Sequence, residues 1–460
     1  MKACYLLLAA AFLGVVTQIF ARPTIAQVWS TMADRSALLQ ARASPIAFTR
    51  GEPMGRVIDV NPRETFQTID GFGFALTGGS AQWMIRMTPA ARHALIEDLF
   101  SRKNGIGISY LRVSIGSSDL NDRTFSYDDL PPGQTDAAMA HFDLSDDRAN
   151  VIPVLQEILK VSPQIKILGS PWSAPLWMKT NANIQGGKLK SEYYEAYALY
   201  FVKYITAMHA AGITIDAITV QNEPFNDGNT PSMQFFAKEE ARFVRDHLGP
   251  AFARNHLETK IVLYDHNCDA PEYPISILND SAASQYVDGS GFHLYAGPIE
   301  ALSKVHRAFP QKNLYFTEMM VTDRHGFDVA DPLDRIVIGA VNNWSRNVIL
   351  WNLGSNGQFQ PHTNNGGCPF CEGAIVIEGD KVTRNAAYYV IGHASKFVPP
   401  GSVRIASTQP ISNTVFKTPD GKMVMIIGNA EKTTQTISVR AENQFIQLTL
   451  APREAATVQW

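Results

Sequence analysis

The chain has 460 residues, of which 45% are hydrophobic and 18% are charged, and its formal net charge at pH 7 is −3. This charge argues against a nucleic-acid-binding surface, which would be basic, and an aromatic content of 10% argues against a disordered chain. The length predicts two or three domains, or one large barrel with an appendage.

The first residues have the pattern of a secretory signal. Met1 and Lys2 give a positive start, an almost unbroken apolar run covers residues 5–16, and small residues follow at Ala21 and Ala26. The run is shorter than the ~18 residues that a membrane-spanning helix needs, which favours a signal peptide over the alternative of a membrane anchor. With cleavage after Ala26 and no later span of sufficient length, we expect a soluble periplasmic or secreted protein without stable membrane insertion.

Residues 27–64 predict short strands, because apolar and polar residues alternate there. Beyond them, short apolar runs alternate with segments of helical period. The strand candidates are Thr68 to Ala75, Tyr110 to Val113, Ile165 to Gly169, Ala217 to Gln221, Lys260 to Tyr264, Gly289 to His293, Asn313 to Thr317 and Val348 to Trp351. The helix candidates are Ala90 to Phe100, Asn150 to Lys160, Glu192 to Ala210, Pro231 to His247, Pro274 to Ala282, Pro298 to Phe309, Pro332 to Asn343 and Ala386 to Phe397. Eight such pairs predict an α/β fold of the (β/α)8 TIM-barrel type.

A doubly wound sheet is the rival architecture. Such a sheet would usually offer a glycine-rich phosphate loop, but Gly71-Phe72-Gly73 lacks the third glycine and opens no helix. The tail from about residue 399 returns to strands, such as Met423 to Ile427, separated by turn signals such as Pro419-Asp420-Gly421.

The predicted strands end in polar or aromatic residues, where active sites of such barrels form. Glu223 follows the fourth strand and Glu318 ends the seventh, so the two carboxylates would face each other across the barrel mouth. One protonated and one ionised carboxyl group, about 5–5.5 Å apart, are what retaining cleavage of a glycosidic bond requires. The sequence therefore predicts paired catalytic carboxylates.

Other strand ends supply polar partners for these carboxylates. Tyr295 could hydrogen-bond the nucleophile and keep it ionised. His293 and Arg112 supply charge and donors, although Arg112 could equally be a structural ion pair. Asp265 and His266 could belong to the site or support it.

Three further residues could bind sugar. Asn222 is placed to hold a 2-hydroxyl group, a contact that strengthens in the transition state. Trp172 and Trp351 offer flat apolar faces to a pyranose ring, and each could instead be ordinary core.

Three cysteines follow the signal: Cys268, Cys368 and Cys371. The Cys368–Cys371 pair could be a redox motif, half of a zinc site or a local disulfide. In an oxidising compartment we expect a disulfide that pins the loop, with Cys268 free. No sequence signature calls for a metal ion or another cofactor.

The chain resembles glycoside hydrolase family 30, the glucosylceramidase-like and β-1,6-glucanase-like retaining β-glycosidases, over essentially its whole mature length. The matching stretches are Asp70-Gly71-Phe72-Gly73, Leu111-Arg112-Val113, Ser117-Ser118-Asp119, Ser170-Pro171-Trp172-Ser173-Ala174-Pro175, Trp177-Met178-Lys179-Thr180-Asn181, Asn222-Glu223-Pro224, Glu318 and Gly392-His393-Ala394-Ser395-Lys396-Phe397.

This resemblance implies a catalytic barrel with an attached β-sandwich built from both chain ends. Together with the predicted elements and the signal pattern, it gives a signal at residues 1–26, sandwich strands at 27–64 and 399–460, and the barrel at 65–398. It also implies that Glu223 is the acid/base and Glu318 the nucleophile. The remaining matches to family active-site positions are Asn222, Tyr295, Trp172, Trp351 and Arg112.

One departure bears on the substrate. Glucosylceramidases carry an aspartate after the residue equivalent to Thr77, where it holds glucose hydroxyls, and this chain has Gly78. The chain looks closer to bacterial members and to β-1,6-glucanases. We expect a secreted retaining hydrolase acting on a β-glucoside, oligosaccharide, glucan or glycolipid. The alternatives are a β-xylosidase or β-fucosidase activity, or a non-catalytic carbohydrate-binding protein on the same scaffold.

Overall fold

The computed structural model describes residues 24–460. The predicted signal at residues 1–26 therefore lies almost entirely outside the described residues. Within them, no helix has both the length and the apolar character needed to cross a membrane.

The strands, in chain order, are β1 (Ile25–Thr31), β2 (Gln40–Ala41), β3 (Ile46–Ala47), β4 (Arg56–Thr68), β5 (Gly71–Ala75), β6 (Tyr110–Ser114), β7 (Lys166–Ser170), β8 (Ala217–Thr219), β9 (Lys260–Asn267), β10 (Val287–His293), β11 (Asn313–Glu318), β12 (Ser345–Leu350), β13 (Gly354–Ser355), β14 (Ile375–Glu378), β15 (Lys381–Arg384), β16 (Val403–Ser407), β17 (Asn413–Lys417), β18 (Met423–Gly428), β19 (Gln435–Ala441), β20 (Gln444–Leu450) and β21 (Ala455–Gln459).

The α-helices are α1 (Gly78–Arg86), α2 (Pro89–Phe100), α3 (Val151–Val161), α4 (Tyr194–Ala210), α5 (Ala237–Phe243), α6 (Gly249–Arg254), α7 (Glu272–Leu278), α8 (Ser281–Ser284), α9 (Ala301–Ala308), α10 (Ala330–Pro332), α11 (Gly339–Asn342) and α12 (Ala386–Ser395). π-helical turns at Val244–Leu248 and Leu333–Ile338 join α5 to α6 and α10 to α11, and short 3-10 turns occur at Ser145–Arg148, Leu176–Met178 and Ser191–Tyr193.

The eight parallel strands β5 to β12 close into a barrel, which confirms the predicted TIM-barrel class. The first strand packs tightly against its neighbour: a Cβ on Gly73 would lie 1.9 Å from the carbonyl oxygen of Tyr110 on β6, so only glycine fits there. Side chains two residues apart on a strand share a face. The lower interior of the barrel is accordingly an apolar layer made of Tyr110, Leu168, Ala217, Val262, Tyr315 and Ile349.

Both chain ends build a second, antiparallel-rich sheet in the order β2-β1-β21-β18-β17-β16-β4-β19-β20. The N-terminal β1 lies between β2 and β21, and the long β4 lies between β16 and β19. The sheet strands bury their own apolar cluster, which includes Val28, Ile58, Val415, Ile437 and Val458. This is the predicted β-sandwich formed by the two ends of the chain.

A buried histidine ties the two units together. His393 on α12 contacts the Thr457 hydroxyl at 3.0 Å through Nδ1 and the Thr31 hydroxyl at 2.9 Å through Nε2. Burial lowers the pKa of His393 to about 3, so the ring is neutral at physiological pH and hydrogen-bonds as a neutral group.

The helix predicted from Pro231 begins later, at Ala237. The preceding residues pair with a neighbouring loop instead of coiling: the Ser232 and Gln234 N–H groups donate to carbonyl oxygens of Ile184 and Gly187. The helix then starts where the Glu239 side chain accepts a hydrogen bond from the Phe236 N–H at 3.0 Å, as in a capping box.

Candidate active site

A cavity of about 400 Å³ opens at the carboxyl ends of the barrel strands. Its lining consists of Asp119, Trp172, Asn222, Glu223, Asn226, Asn229, Tyr295, Glu318, Met320, Trp351 and the segment 366–371. Carboxylates, amides and aromatic rings thus surround one concave space, the usual composition of a small-ligand site.

The sequence-predicted site residues divide into two groups. Those that line the cavity are Glu223, Glu318, Asn222, Trp172, Tyr295 and Trp351. The remaining two, Arg112 and His293, are fully buried and contact the carboxylates from beneath.

Arg112 lies at the centre of a buried polar layer above the apolar layer of the barrel. Its guanidinium donates to Glu318 Oε2 at 2.6 Å, to Asn222 Oδ1 at 2.7 Å and to Asp265 Oδ2 at 2.8 Å. Its Nε also donates to the Ser170 hydroxyl at 3.1 Å. Although burial opposes ionisation, Arg112 and His293 hold the pKa of Asp265 far below its usual range. One fixed cation therefore orients three groups of the site.

Asp265 reaches this layer because β9 is irregular. Tyr264 and Asp265 both have positive φ angles, +72° and +58°, and the pairing of β9 with β10 shifts register at this point. Regular alternation from Val262 would point Tyr264 into the barrel. The bulge reverses the alternation and places Asp265 there instead.

Glu318 ends β11 with both carboxylate oxygens bonded. Arg112 holds Oε2, and the Tyr295 hydroxyl donates to Oε1 at 3.1 Å. Burial raises the pKa of Glu318, while the positive charges of His293 and Arg112 act in the opposite direction. Two donors aimed at its oxygens suit an ionised carboxylate.

Glu223 follows β8 with a positive φ of +47°, a strained conformation typical of functional sites. The amide of Asn226 donates to its Oε2 at 2.7 Å, and that of Asn229 at 3.4 Å. Its Oε1 lies 3.2 Å from Nδ1 of His293 and 3.7 Å from Nδ1 of His266. Burial alone would raise the pKa of Glu223, but the nearby imidazoles of His266 and His293 outweigh it and hold the pKa below its usual range.

His293 connects the two carboxylates of the cavity. Its Nδ1 lies 3.2 Å from Glu223 Oε1 and 3.9 Å from Glu318 Oε1, and its Nε2 lies 3.1 Å from Asp265 Oδ1. Burial disfavours the imidazolium, yet the surrounding carboxylates raise the pKa of His293 to about 9. Since both Oε1 atoms contact one nitrogen, they can be no more than about 7 Å apart, which accommodates the ~5–5.5 Å of retaining glycosidases.

Trp172 and Trp351 form the apolar wall. Their ring centroids lie 5.4 Å apart, and both belong to a small cluster with Ala75, Leu120 and Cys371. The structure therefore agrees with both interpretations of these two residues, as core and as sugar-binding faces, because each ring is mostly buried and still lines the cavity.

Sequence reasoning missed several cavity residues. Asp119 is buried in the cavity wall, and burial together with the charges of Glu318 and Glu223 raises its pKa to about 7. It lies in a loop five residues beyond β6, so strand-end counting passes over it, although its motif Ser117-Ser118-Asp119 was a usable signal. Asn226 was missed for the same reason.

The cysteine pair also reaches the cavity. Cys368 and Cys371 form the predicted disulfide, and Cys268 is buried and free. The short loop that they close carries Phe370, which is 43% exposed, to the cavity rim.

Comparison with known proteins extends these observations. The family model described as "Glycosyl hydrolase family 30 TIM-barrel domain" matches residues 69–398, and that described as "Glycosyl hydrolase family 30 beta sandwich domain" matches residues 401–458. The chain is 35% identical over 390 residues to endo-1,6-beta-D-glucanase neg1 of Aspergillus fumigatus, covering 79% of this chain and 78% of that protein. It is 28% identical over 420 residues to the lysosomal acid glucosylceramidase of Mus musculus, covering 84% of this chain and 79% of that protein. Among solved structures, the endo-beta1,6-glucanase BT3312 aligns with a TM-score of 0.87 and 33% identity, covering 95% of this chain and 99% of that one.

Proposed function

The chain belongs to glycosyl hydrolase family 30, and from this premise we propose that it cleaves β-1,6-linked glucan with retention of configuration. That it is a glycoside hydrolase for β-glucosides follows from its relatives; the linkage and the roles of its residues are the proposal. The observation that carries the roles is the contact of one imidazole, that of His293, with both Glu223 and Glu318 in a single cavity.

In the first step, Glu318 attacks the anomeric carbon and the glycosidic bond breaks. Arg112 and the Tyr295 hydroxyl hold the attacking carboxylate ionised and fix its direction. Asn222, itself oriented by Arg112, is available to the sugar 2-hydroxyl. The product is a glycosyl ester of Glu318.

Glu223 gives a proton to the leaving oxygen in this step. Its own pKa is low in the empty site, whereas His293 holds a proton with Nδ1 only 3.2 Å from Glu223 Oε1. Because the two groups interact strongly, they share one titrating proton as a pair. We assign that shared proton to the leaving group. In the second step Glu223 takes a proton from water, which hydrolyses the ester and restores Glu318.

The pH dependence of kcat/KM tests this proton assignment. On the acid side, kcat/KM should fall once Glu318 becomes protonated, at a pH above the ordinary 4.5 because its pKa is raised. On the alkaline side it should fall as the shared proton is lost near pH 9, the pKa of His293. In His293→Asn the alkaline limb should move, and the acid limb should shift to higher pH because Glu318 loses a positive charge that lowers its pKa. An unchanged alkaline limb in that variant would show that His293 does not hold the proton.

The linkage proposal rests on the similarity to β-1,6-glucanases and on the surroundings of Gly78. A Cβ at Gly78 would lie 2.0 Å from the side-chain nitrogen of Asn121, so an aspartate at the position used by glucosylceramidases would require Asn121 to move. The glucose ring must be held by other groups, of which Asp119 lines the cavity.

A substrate panel tests the linkage. We expect kcat/KM on pustulan, a β-1,6-glucan, to exceed that on laminarin, glucosylceramide, aryl β-xyloside and aryl β-fucoside by at least ~10-fold, since hydrogen-bonding pockets discriminate strongly between sugars. Preference for glucosylceramide would replace the proposal by a glucosylceramidase activity. Sugar binding without product release would replace it by the non-catalytic alternative.

We also propose that the protein is exported, on the signal pattern of its first residues. The structure adds a constraint on the cut: Ile25 and Ala26 pair with β3, and Ala26 is fully buried in the sandwich core. Cleavage after Ala21, the upstream small residue, keeps the pairing of Ile25 and Ala26 with β3, whereas cleavage after Ala26 removes it. N-terminal sequencing of protein from the periplasm and the medium should therefore give a mature chain that begins ahead of Ile25, and protein found only in the cytoplasm with Met1 intact would contradict export.

A further inference from the structure

A second cluster of ligand-type side chains lies in the long loop between β6 and α3. Asp128, Asp136 and His141 each offer one oxygen or nitrogen atom, and these atoms all lie within 4.8 Å of one another. Asp128 is 1% exposed and Asp136 8% exposed. Within residues 24–460 neither carboxylate has a lysine or arginine in ion-pair contact, and the imidazole Nδ1 of His141 lies 2.9 Å from Asp136 Oδ2.

Asp128 shows that this cluster is incomplete by itself. Its Oδ2 accepts a hydrogen bond from Trp177 Nε1 at 3.1 Å, but its buried Oδ1 has no hydrogen-bond partner among the described residues. A buried carboxylate oxygen without a donor is costly and rare in folded proteins. The loop's own hydrogen bonding does not account for it, whereas a bound cation would.

Asp136 and His141 hold the other side of the cluster in place. Asp136 Oδ2 accepts the backbone N–H of His141 at 2.7 Å and contacts Nδ1 of the same residue at 2.9 Å. The imidazole is thereby fixed beside the carboxylate, and 70% of the His141 side chain is exposed. An ion could therefore enter from solvent on the histidine side and meet the buried Asp128.

We propose that Asp128, Asp136 and His141 bind one divalent cation of the zinc class. One imidazole and two carboxylates form a mixed nitrogen and oxygen set, which suits Zn²⁺, while Ca²⁺ and Mg²⁺ prefer oxygen ligands alone. Three protein ligands leave one tetrahedral position for water. The Trp177 indole bound to Asp128 belongs to the loop after β7 that also carries Trp172 of the cavity wall, so the cation would brace two loops at the barrel mouth.

Titration of the full-length, EDTA-treated enzyme with ZnCl₂ by isothermal calorimetry tests this site. We expect wild-type protein to bind zinc at this site and Asp128→Asn and His141→Ala to bind it at least ~10-fold more weakly, because each loses a ligand. The amide introduced by Asp128→Asn keeps an acceptor for Trp177, and His141 is exposed, so both variants should fold, which circular dichroism verifies. Zinc should also raise the thermal midpoint of the wild type by about 1–3 °C and leave that of Asp128→Asn unchanged.

Two controls separate this site from other zinc ligands. His325, in an exposed loop, provides the matched surface variant His325→Ala, which should bind zinc like the wild type. Glu223, His266 and His293 form another cluster of ligand atoms within 4.8 Å of one another, so Glu223→Gln is titrated in parallel and should retain the site. Any one of three results would overturn the proposal. The wild type could fail to bind zinc, or zinc binding could survive in Asp128→Asn and be lost in Glu223→Gln. The third such result is stabilisation of the protein by CaCl₂ in place of ZnCl₂. None of these readouts depends on glucan hydrolysis.

Discussion

Glu318→Ala is expected to lower kcat on an aryl β-glucoside by about 10⁴-fold or more, because no other group can form the glycosyl ester. The neighbouring carboxylates cannot replace it. Asp265 is fully buried behind Arg112 and His293, and Glu223 is engaged by Asn226 and His293. Steady-state kinetics with 2,4-dinitrophenyl β-glucoside measure the loss.

Azide distinguishes a lost nucleophile from a damaged site. In Glu318→Ala the removed carboxylate leaves room beside Arg112, and azide attacking there should restore part of the rate and give a glycosyl azide of inverted configuration. Glu258→Ala is the matched control, since Glu258 precedes β9 at the opposite end of the barrel and is exposed. Full turnover by Glu318→Ala, or azide products from Glu258→Ala alone, would refute the nucleophile assignment.

The strand-end pattern predicted much of this site because the barrel converts order along the chain into position in space. Residues that end parallel strands must gather at one rim, so Glu223, Glu318, Asn222 and Tyr295 were found without knowledge of any contact. The alternation of inward-facing and outward-facing side chains along a strand would also have predicted that Arg112 is buried. It lies two residues beyond Tyr110 on β6, and Tyr110 belongs to the apolar interior layer.

Where the backbone departs from regular geometry, the same reasoning fails. The positive φ angles at Tyr264 and Asp265 reverse the alternation of β9, and no sequence rule marks a bulge between two such residues. Asp265 could therefore be assigned neither to the site nor to its support, although it is a principal partner of Arg112.

The remaining site residues that could not be predicted from the sequence lie in loops. Asp119 and Asn229 reach the cavity from segments whose paths depend on tertiary contacts: the Asp119 carbonyl accepts the Thr363 N–H at 2.8 Å, a contact between distant parts of the chain. Periodicity carries no information about such pairs. The N-terminal strands differ from these loops, because the alternation of apolar and polar residues did predict β1 and β4. Their place in a sandwich with the C-terminal strands, however, was predicted only from the family resemblance.

Glu223→Ala should separate substrates by their leaving groups. With 2,4-dinitrophenyl β-glucoside the departing phenolate needs no proton, so kcat/KM should fall less than ~10-fold. With pustulan the departing sugar alkoxide needs one, and the loss should approach the ~10²–10⁴-fold typical of general acid catalysis. The ester formed on Glu318 should also accumulate with the activated substrate, since Glu223 no longer activates water, and a burst of dinitrophenolate followed by slow turnover would report it.

The contact between Asn226 and Glu223 provides a control for the leaving-group experiment. Asn226 donates to Glu223 Oε2 at 2.7 Å, so Asn226→Ala perturbs the orientation of the acid while leaving its carboxyl group and the contact with His293 in place. It should reduce kcat/KM on pustulan by a smaller factor than Glu223→Ala does and change kcat/KM on 2,4-dinitrophenyl β-glucoside least, because only the sugar leaving group needs the proton. Equal losses for both leaving groups in Glu223→Ala itself would mean that this carboxyl group only positions the substrate. The proton would then have to come directly from His293, which is fully buried beneath the cavity and cannot reach a leaving oxygen without Glu223 between them.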